Sequence, residues 1–469
     1  MISPTALAPS LAEFLPRQRW FGAKDRTVEL VRICSKEVLT GEGSWPVLLR
    51  VDADVSLAGT DDARYQVFLG LRPTGVDCEF LSGHEGAVLG EFDTAQGQAL
   101  VYDALLDGEL ALALLRVVAP EHTAERVRPL GAEQSNTSLV YDDAMILKVF
   151  RRLTKGHNPE VEVIETLARV GFKSVPEPLA SWRKDDMDLA FLQRFLAGAT
   201  DGWHIALTSL RELFAEYTIG ASPPPGDALG AGVGAPSEAT DPAEARGDFA
   251  AEAERIGEVT AEMHQAMARG FGTHKATGAD WADQMEEQLE RVLGPGDGAL
   301  LEGARRIIGR LRDCSDPGPA IRVHGDYHLA QVLRTDAGWF VLDFEGEPAR
   351  PLEERTRPSS PLKDVAGMLR SFSYAPAVAL SYQEDDLSSL GRAWEARNRE
   401  CFLAGYLRRA MDGEAILPTD PAVRSAVLAA FELDKALYEM AYERANRPDW
   451  AHIPLGAVQR LTSEAARAI

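Results

Sequence analysis

Residues Ile321–Pro348, IRVHGDYHLAQVLRTDAGWFVLDFEGEP, decide how the rest of the chain is read. An apolar run ends in His324-Gly325-Asp326, and Gln331 follows that aspartate by five positions. Val332-Leu333 and Trp339-Phe340-Val341-Leu342 flank Thr335-Asp336-Ala337-Gly338, the pattern of a β-hairpin with a glycine-containing turn. Beyond the hairpin come Asp343, Phe344, Glu345 and Glu347. A carboxylate ahead of a hairpin and another at its far end are brought close by the hairpin itself. Taken singly, His324 suits an ordinary core histidine and the acids suit turn caps. Taken as an ordered set with its spacing intact, they suit a catalytic and metal-binding constellation.

Protein kinases use this order. Their H-R-D-x-x-x-x-N supplies a base and a metal ligand, and their D-F-G supplies a second ligand. Here the motifs are H-G-D-x-x-x-x-Q and D-F-E. That combination resembles the aminoglycoside-phosphotransferase-like small-molecule kinases. Gln331 retains an amide oxygen, a hard ligand for Mg²⁺, on a side chain one methylene longer than asparagine. The expected roles are Asp326 as base, with Gln331, Asp343 and Glu345 at the metal.

Bulk composition narrows the field. At 469 residues the chain has room for two to four domains, given the usual domain size of about 100–200 residues. Hydrophobic content of 45% with 26% charged residues describes an ordinary globular protein. Forty-nine basic and 72 acidic residues leave a net charge of −23, which argues against non-specific binding to nucleic acid or anionic membranes. A local cluster of donors with Mg²⁺ still permits ATP. Cys34, Cys78, Cys314 and Cys401 are scattered without a C-x-x-C pair, which suits a reducing cytoplasm. The sequence shows neither a signal-peptide pattern nor a long uninterrupted apolar run.

Three regions are expected: an α+β cap over 1–90, an N-terminal lobe over 91–198 and a mostly helical lobe over 199–469. In the cap, a short helix around Leu7–Leu15 precedes strands at Thr27–Cys34, Trp45–Asp52 and Tyr65–Leu71, and Trp20-Phe21 reads as core packing. Residues from about Glu91 to Val118 suggest two amphipathic helices, the second at Glu109–Val117. Two strand-like runs then bracket a small-residue turn, Gln134-Ser135-Asn136-Thr137-Ser138, whose backbone N–H groups and hydroxyls could cover phosphates. Lys148 lies within the apolar strand Met145–Phe150. A buried lysine is costly unless paired, and this one matches the kinase strand lysine that contacts phosphates and pairs with a helix glutamate. Asn158-Pro159 caps the next helix, with Glu160 the expected partner and Glu162 the alternative. Gln193 and Phe195 lie where a hinge would meet the adenine ring.

In the last region Ala221–Asp248 is rich in Pro, Gly and Ala, a flexible insert by composition. His264 reads as structural, and Asp364 as a cap in the first turn of its helix. Lys435, Tyr438, Glu439 and Tyr442 share one helix face. Aromatic rings mixed with Lys and Glu suit a polyhydroxylated ligand, while the ordinary alternative is a solvated face carrying amphipathic tyrosines.

Taken together the chain resembles the bacterial maltokinases, which use ATP to make maltose 1-phosphate. The resemblance covers most of the chain. It rests on Trp20-Phe21-Gly22-Ala23-Lys24, Glu133–Ser138, Lys148–Leu153, Asn158-Pro159-Glu160, His324–Gln331, Asp343–Pro348 and Asp434–Glu439. Tyr327 and Ala330 depart from the family's Leu and Gly. The resemblance implies a bilobal protein-kinase-like α+β fold with an extra N-terminal cap. It also implies ATP and Mg²⁺ as cofactors and a cytoplasmic location. Ser135, Asn136, Thr137, Ser138, Lys148, Glu160, Gln193 and Phe195 would then hold the nucleotide. His328, Asp434, Lys435, Tyr438, Glu439 and Tyr442 would hold the sugar. A trehalose–maltose isomerase is the implied protein partner, and the product would feed α-glucan synthesis. Alternatives are a related sugar kinase such as a glucosamine kinase, an aminoglycoside-type kinase, or an inactive binding partner of the isomerase. Lys435 on the presumed substrate helix argues against a polycationic substrate.

Overall fold

The computed structural model describes residues 2–24, 26–59, 62–131, 136–221, 248–294, 297–347, 350–383 and 386–467. Most of the insert expected at 221–248 lies outside them. By internal contacts the chain forms two units, Met1–Glu165 with Pro176–Ala197, and Thr166–Val175 with Gly198–Ile469.

The first unit opens with helix α1 (Pro4–Phe14), whose N-terminal N–H groups are capped by the Ser3 hydroxyl. Strands β1 (Val28–Thr40), β2 (Val47–Leu57), β3 (Ala63–Pro73), β4 (Val88–Thr94) and β5 (Gly97–Asp103) form an antiparallel sheet in the order β1-β2-β3-β5-β4. Trp20 and Phe21 pack on Tyr65, with ring centroids 6.3 and 5.0 Å apart, as core residues. The helix expected at the start of 91–118 is instead the β4–β5 hairpin. Ala95-Gln96 makes its turn, and the strand formers Leu100-Val101-Tyr102 pair with β3. Helix α2 (Gly108–Val118) follows, capped by Asp107.

A second sheet is built from β6 (Val127–Pro129), β7 (Asn136–Tyr141), β8 (Met145–Phe150), β10 (Pro178–Lys184) and β11 (Met187–Arg194), in the order β10-β11-β8-β7-β6. The short β9 (Arg152–Leu153) pairs with β3 and joins the two sheets. Gln66 of β3 strengthens the join, donating its amide to the carbonyls of Phe150 and Leu189 at 2.8 and 2.9 Å. One core cluster runs from Leu48 and Phe68 through Leu114 to Leu147, Val149 and Leu192, so α2 and both sheets share apolar burial. Helix α3 (Pro159–Arg169) begins in this unit, with the Asn158 side chain accepting from the Glu160 N–H.

The second unit is helical apart from the three-stranded sheet of β12 (Thr200–Asp201), β13 (Val332–Thr335) and β14 (Gly338–Val341). The β13–β14 hairpin matches the sequence expectation. Helices α4 (Gly202–Ala221), α5 (Ala250–Phe271), α6 (Gly278–Val292) and α7 (Gly298–Arg312) precede the hairpin. Helices α8 (Leu352–Thr356), α9 (Leu362–Leu380), α10 (Ser388–Ala410), α11 (Pro421–Asn446) and α12 (His452–Arg467) follow it. A Cβ at Gly257 of α5 would come within 2.2 Å of the Phe402 carbonyl, and one at Gly405 of α10 within 2.1 Å of the Glu254 carbonyl, so α5 and α10 touch backbone to backbone. Glu252 of α5 fixes the hairpin by accepting from Trp339 Nε1 at 2.7 Å and Arg334 Nε at 3.2 Å. Among the described residues no helix is long and apolar enough to cross a membrane.

Candidate active site

In the second unit, His324-Gly325-Asp326 leads into the hairpin and Asp343-Phe344-Glu345 leaves it. His324 clasps the two segments together. Its Nε2 donates to the Leu342 carbonyl at 2.8 Å, which leaves Nδ1 to accept from the Asp326 N–H at 3.4 Å. The ring is buried against Tyr327 and Phe344, with centroids 5.2 and 4.8 Å away. Gly325 has φ +88°, a left-handed conformation that suits glycine. Asp343 takes φ +61°, which costs a non-glycine residue about 1–2 kcal/mol and which the surrounding contacts must hold.

Asp364 of α9 is the receptor for this loop. Its carboxylate accepts the N–H groups of His324 and Gly325 at 2.7 and 2.9 Å, and His264 Nε2 lies 3.1 Å away. The other nitrogen of His264 bonds to the Tyr406 hydroxyl at 3.0 Å. Burial pushes the Asp364 carboxyl up, but the His264 contact and the loop N–H groups outweigh it and hold the acid ionised. The capping role read from sequence is thus replaced by a loop-holding one. His264 is structural, as expected.

Asp326 faces a lysine ammonium. Lys435 Nζ of α11 lies 3.1 Å from Asp326 Oδ1 and 2.6 Å from Glu347 Oε1. Burial raises the Asp326 carboxyl, yet the Lys435 ammonium overcomes it and holds the group below its usual range. Burial likewise raises Glu347, and Lys435, Lys363 and Arg350 together pull it down. Lys435 itself would be lowered by burial, but the two acids push it well above an ordinary lysine. His328 is held below its usual value by burial and is neutral at pH 7. Its Nδ1 accepts the Ala330 N–H, so the proton sits on Nε2, 4.0 Å from Asp326 Oδ2. A small cavity opens beside Gly325, walled by Glu347, Arg350, Lys363, Asp434, Lys435 and Tyr438. Lys435 Nζ stands 4.9 Å above the Tyr438 ring.

The metal candidates share the hairpin's base. Gln331 Nε2 lies 3.2 Å from Asp343 Oδ2, and turning that amide over would present its oxygen instead. An amide oxygen beside a carboxylate, with Glu345 two residues on, is an all-oxygen donor set that fits Mg²⁺.

In the first unit Lys148 lies on the central strand β8, in register with Ser138 of β7 and Phe191 of β11. Its Nζ meets Glu160 Oε2 at 2.6 Å, and both side chains are largely buried. Among the described residues the ion pair therefore goes to Glu160 rather than Glu162. Ser135 lies outside the described residues. Asn136, Thr137 and Ser138 belong to β7 itself, where a turn was expected, and Thr137 Oγ1 accepts from Arg151 Nε at 2.9 Å. Gln193 is on β11 opposite Ile146. Phe195 gives its N–H to the Ala144 carbonyl at 2.8 Å and its ring lies under Arg128.

The structure brings Asp434, Lys435 and Tyr438 around one cavity, with Asp326 joined to it through Lys435 and His328 beside Asp326. Glu439 turns aside, its Oε2 accepting from both Nη2 and Nε of Arg370 at 2.8 and 2.9 Å, and Tyr442, one turn on, is 46% exposed. Sequence reasoning missed Arg350 and Lys363, read Asp364 only as a cap, and gave Glu347 no role. The signal was present only for Glu347, as the last acid of the DFEGEP run.

Residues 14–107 match the maltokinase N-terminal cap domain, and residues 235–410 match the phosphotransferase enzyme family. A glucosamine kinase of Mycolicibacterium smegmatis is 30% identical over 357 residues, 73% of this chain and 81% of that protein. A glucosamine kinase of Streptacidiphilus jiangxiensis is 28% identical over 349 residues, 70% of this chain and 71% of that protein. A solved glucosamine kinase in complex with glucosamine, ADP and inorganic phosphate shares the fold at TM-score 0.64 and 22% identity, over 96% of this chain and 98% of that one.

Proposed function

The chain belongs to the phosphotransferase family of sugar kinases that carry a maltokinase-type cap, and from that premise we propose that it transfers the γ-phosphoryl group of ATP to the anomeric hydroxyl of maltose. The observation that carries this reading is the Asp326 carboxylate, held ionised at the edge of a cavity lined by hydrogen-bonding groups and a tyrosine ring. Asp326 accepts the sugar hydroxyl's proton as the oxygen attacks phosphorus. Lys148, set by Glu160, holds the phosphate oxygens. Gln331 and Asp343, with Glu345, are the residues that would hold Mg²⁺, which supplies neutralisation of phosphate charge. Positioning and charge neutralisation then provide most of the acceleration, as a loose phosphoryl-transfer transition state requires.

Charge balance favours a neutral sugar. Asp326, Glu347 and Asp434 are matched by Arg350, Lys363 and Lys435, so the site as a whole does not call for a cation. Glucosamine is the second reading. It is favoured by the names of the relatives and by Asp434, whose carboxyl is pushed up by burial and would gain from pairing with a sugar ammonium. The glycosyl 1-phosphate formed from maltose is the donor type that α-glucan synthesis consumes, and an isomerase that makes maltose is the corresponding proposed partner. Asp326→Ala should abolish sugar-dependent ADP release while the variant still binds ATP by calorimetry. A variant with near-normal kcat would refute the base assignment.

A further inference from the structure

The proposed base is engaged by a lysine ammonium. Lys435 bridges Asp326 Oδ1 at 3.1 Å and Glu347 Oε1 at 2.6 Å. Its two partners differ. The Glu347 side chain is 2% exposed and is also held by Arg350, so it is a fixed anchor. The Asp326 side chain keeps 23% exposure, and the nearest histidine nitrogen stands 4.0 Å from its second oxygen, Oδ2. One carboxylate oxygen is thus covered by an ammonium that a buried acid holds in place, and the other accepts no hydrogen bond among the described residues.

Kinases carry a built-in hazard. Water can take the place of the sugar hydroxyl: its oxygen bonds to the γ-phosphorus, the bond from that phosphorus to the β–γ bridging oxygen breaks, ADP leaves, and the water proton passes to the base. Resting on the assignment of Asp326 as base, we propose that Lys435 is a latch against this side reaction. It covers Oδ1 and weakens Asp326 as a base, so that water is activated poorly and a sugar hydroxyl seated at Oδ2 is activated well.

The physical basis is differential. General-base efficiency follows the basicity of the accepting group. An anomeric hydroxyl is more acidic than water, so weakening the base penalises water more than sugar. Covering one oxygen also removes one of the two places where a water could be held for attack. The sugar is held by other cavity groups and loses less. Lys435 acts here through Asp326, as a positioning residue, and Glu347 sets where its charge stands.

The test compares sugar-independent ADP release from Mg²⁺-ATP in the full chain. Lys435→Met should raise this hydrolysis on the order of tenfold, a fraction of the about 10²–10⁴-fold that a positioned base supplies, and by more than it raises sugar-dependent kcat. Lys435→Arg, which keeps the charge, should hold hydrolysis near the wild-type level. In the Asp326→Ala/Lys435→Met double variant the added hydrolysis should disappear. Lys435→Gln, which keeps a donor without the charge, gives the same readout if the methionine variant does not fold. Hydrolysis unchanged or lowered in a folded, uncharged variant, or persisting in the double variant, would overturn the latch. Retained sugar-dependent turnover in Asp326→Ala alone would instead overturn the base assignment, so the two failures are told apart.

Discussion

Asp364 marks how far a single residue's meaning departs from its local sequence. Its place in the first turn of α9 suggests a helix cap, yet its partners lie 39 and 40 positions earlier in the chain. The carboxylate is 1% exposed and meets two backbone N–H groups and a histidine, a fully committed acceptor. Asp364→Asn removes the charge and aims an N–H₂ group at donors, so it should cost about 2–3 kcal/mol, the penalty of leaving buried partners unsatisfied. It should also lower kcat more than it raises KM, because the loop carrying Asp326 loses its support. A thermal melt with steady-state kinetics checks both, and a variant with wild-type kcat would show that His324 alone positions the loop. By contrast the meeting of Gln331 and Asp343 was legible, since one hairpin brings them within 3.2 Å whatever the rest of the chain does. The Lys148–Glu160 pair was legible for a similar reason, with 12 positions separating its members. Lys435 was singled out for the sugar, but its ion pairs to Asp326 and Glu347 span 109 and 88 positions, beyond the reach of any pattern.

Helix α11 shows the same limit at the scale of an element. Asp420 ahead of Pro421 supplies its N-cap. Its inner face nevertheless carries Glu432, 3% exposed, which pairs with Arg399 at 2.9 Å and Arg460 at 2.8 Å. An amphipathic reading assigns such a glutamate to solvent. Burial raises its carboxyl, but the arginines win and depress it from 4.5 to about 2. The sign follows: a depressed acid stabilises the fold above its unfolded value, and that contribution is lost as pH falls from 4.5 through about 2. Glu432→Gln leaves two arginines without their acid and should cost about 3–5 kcal/mol. Its melting temperature should depend less steeply on pH across that window than the wild type's. At the α5–α10 crossing the usual helix rule is inverted. Gly257→Ala improves helix propensity, but the added Cβ would meet the Phe402 carbonyl at 2.2 Å. Overpacking of about 1–3 kcal/mol should dominate, read as a lower denaturant midpoint. The misread helix near 91–103 has a related cause. Its short apolar spacing fits two periods, and pairing of β5 with β3 settles the choice.

At the scale of the whole molecule the sequence was most informative about class and least about substrate. The net charge of −23 and the absence of a zinc-like cysteine pattern left few options, and the ordered kinase motifs chose among them. The cavity proposed for the sugar is assembled from the loop at Gly325, the segment through Glu347 and Arg350, the start of α9 and the middle of α11. Each contributes one or two groups, so no single stretch spells the ligand. Charge balance in that pocket is the physical ground for maltose over glucosamine, and it is open to direct measurement. Mg²⁺-dependent ADP release should be followed with maltose and with glucosamine as separate acceptors, and each product examined by phosphorus NMR. Strong turnover on maltose, with a phosphorus signal coupled to the anomeric proton, is the predicted result. Preference for glucosamine, or a phosphate on any other hydroxyl, would contradict it.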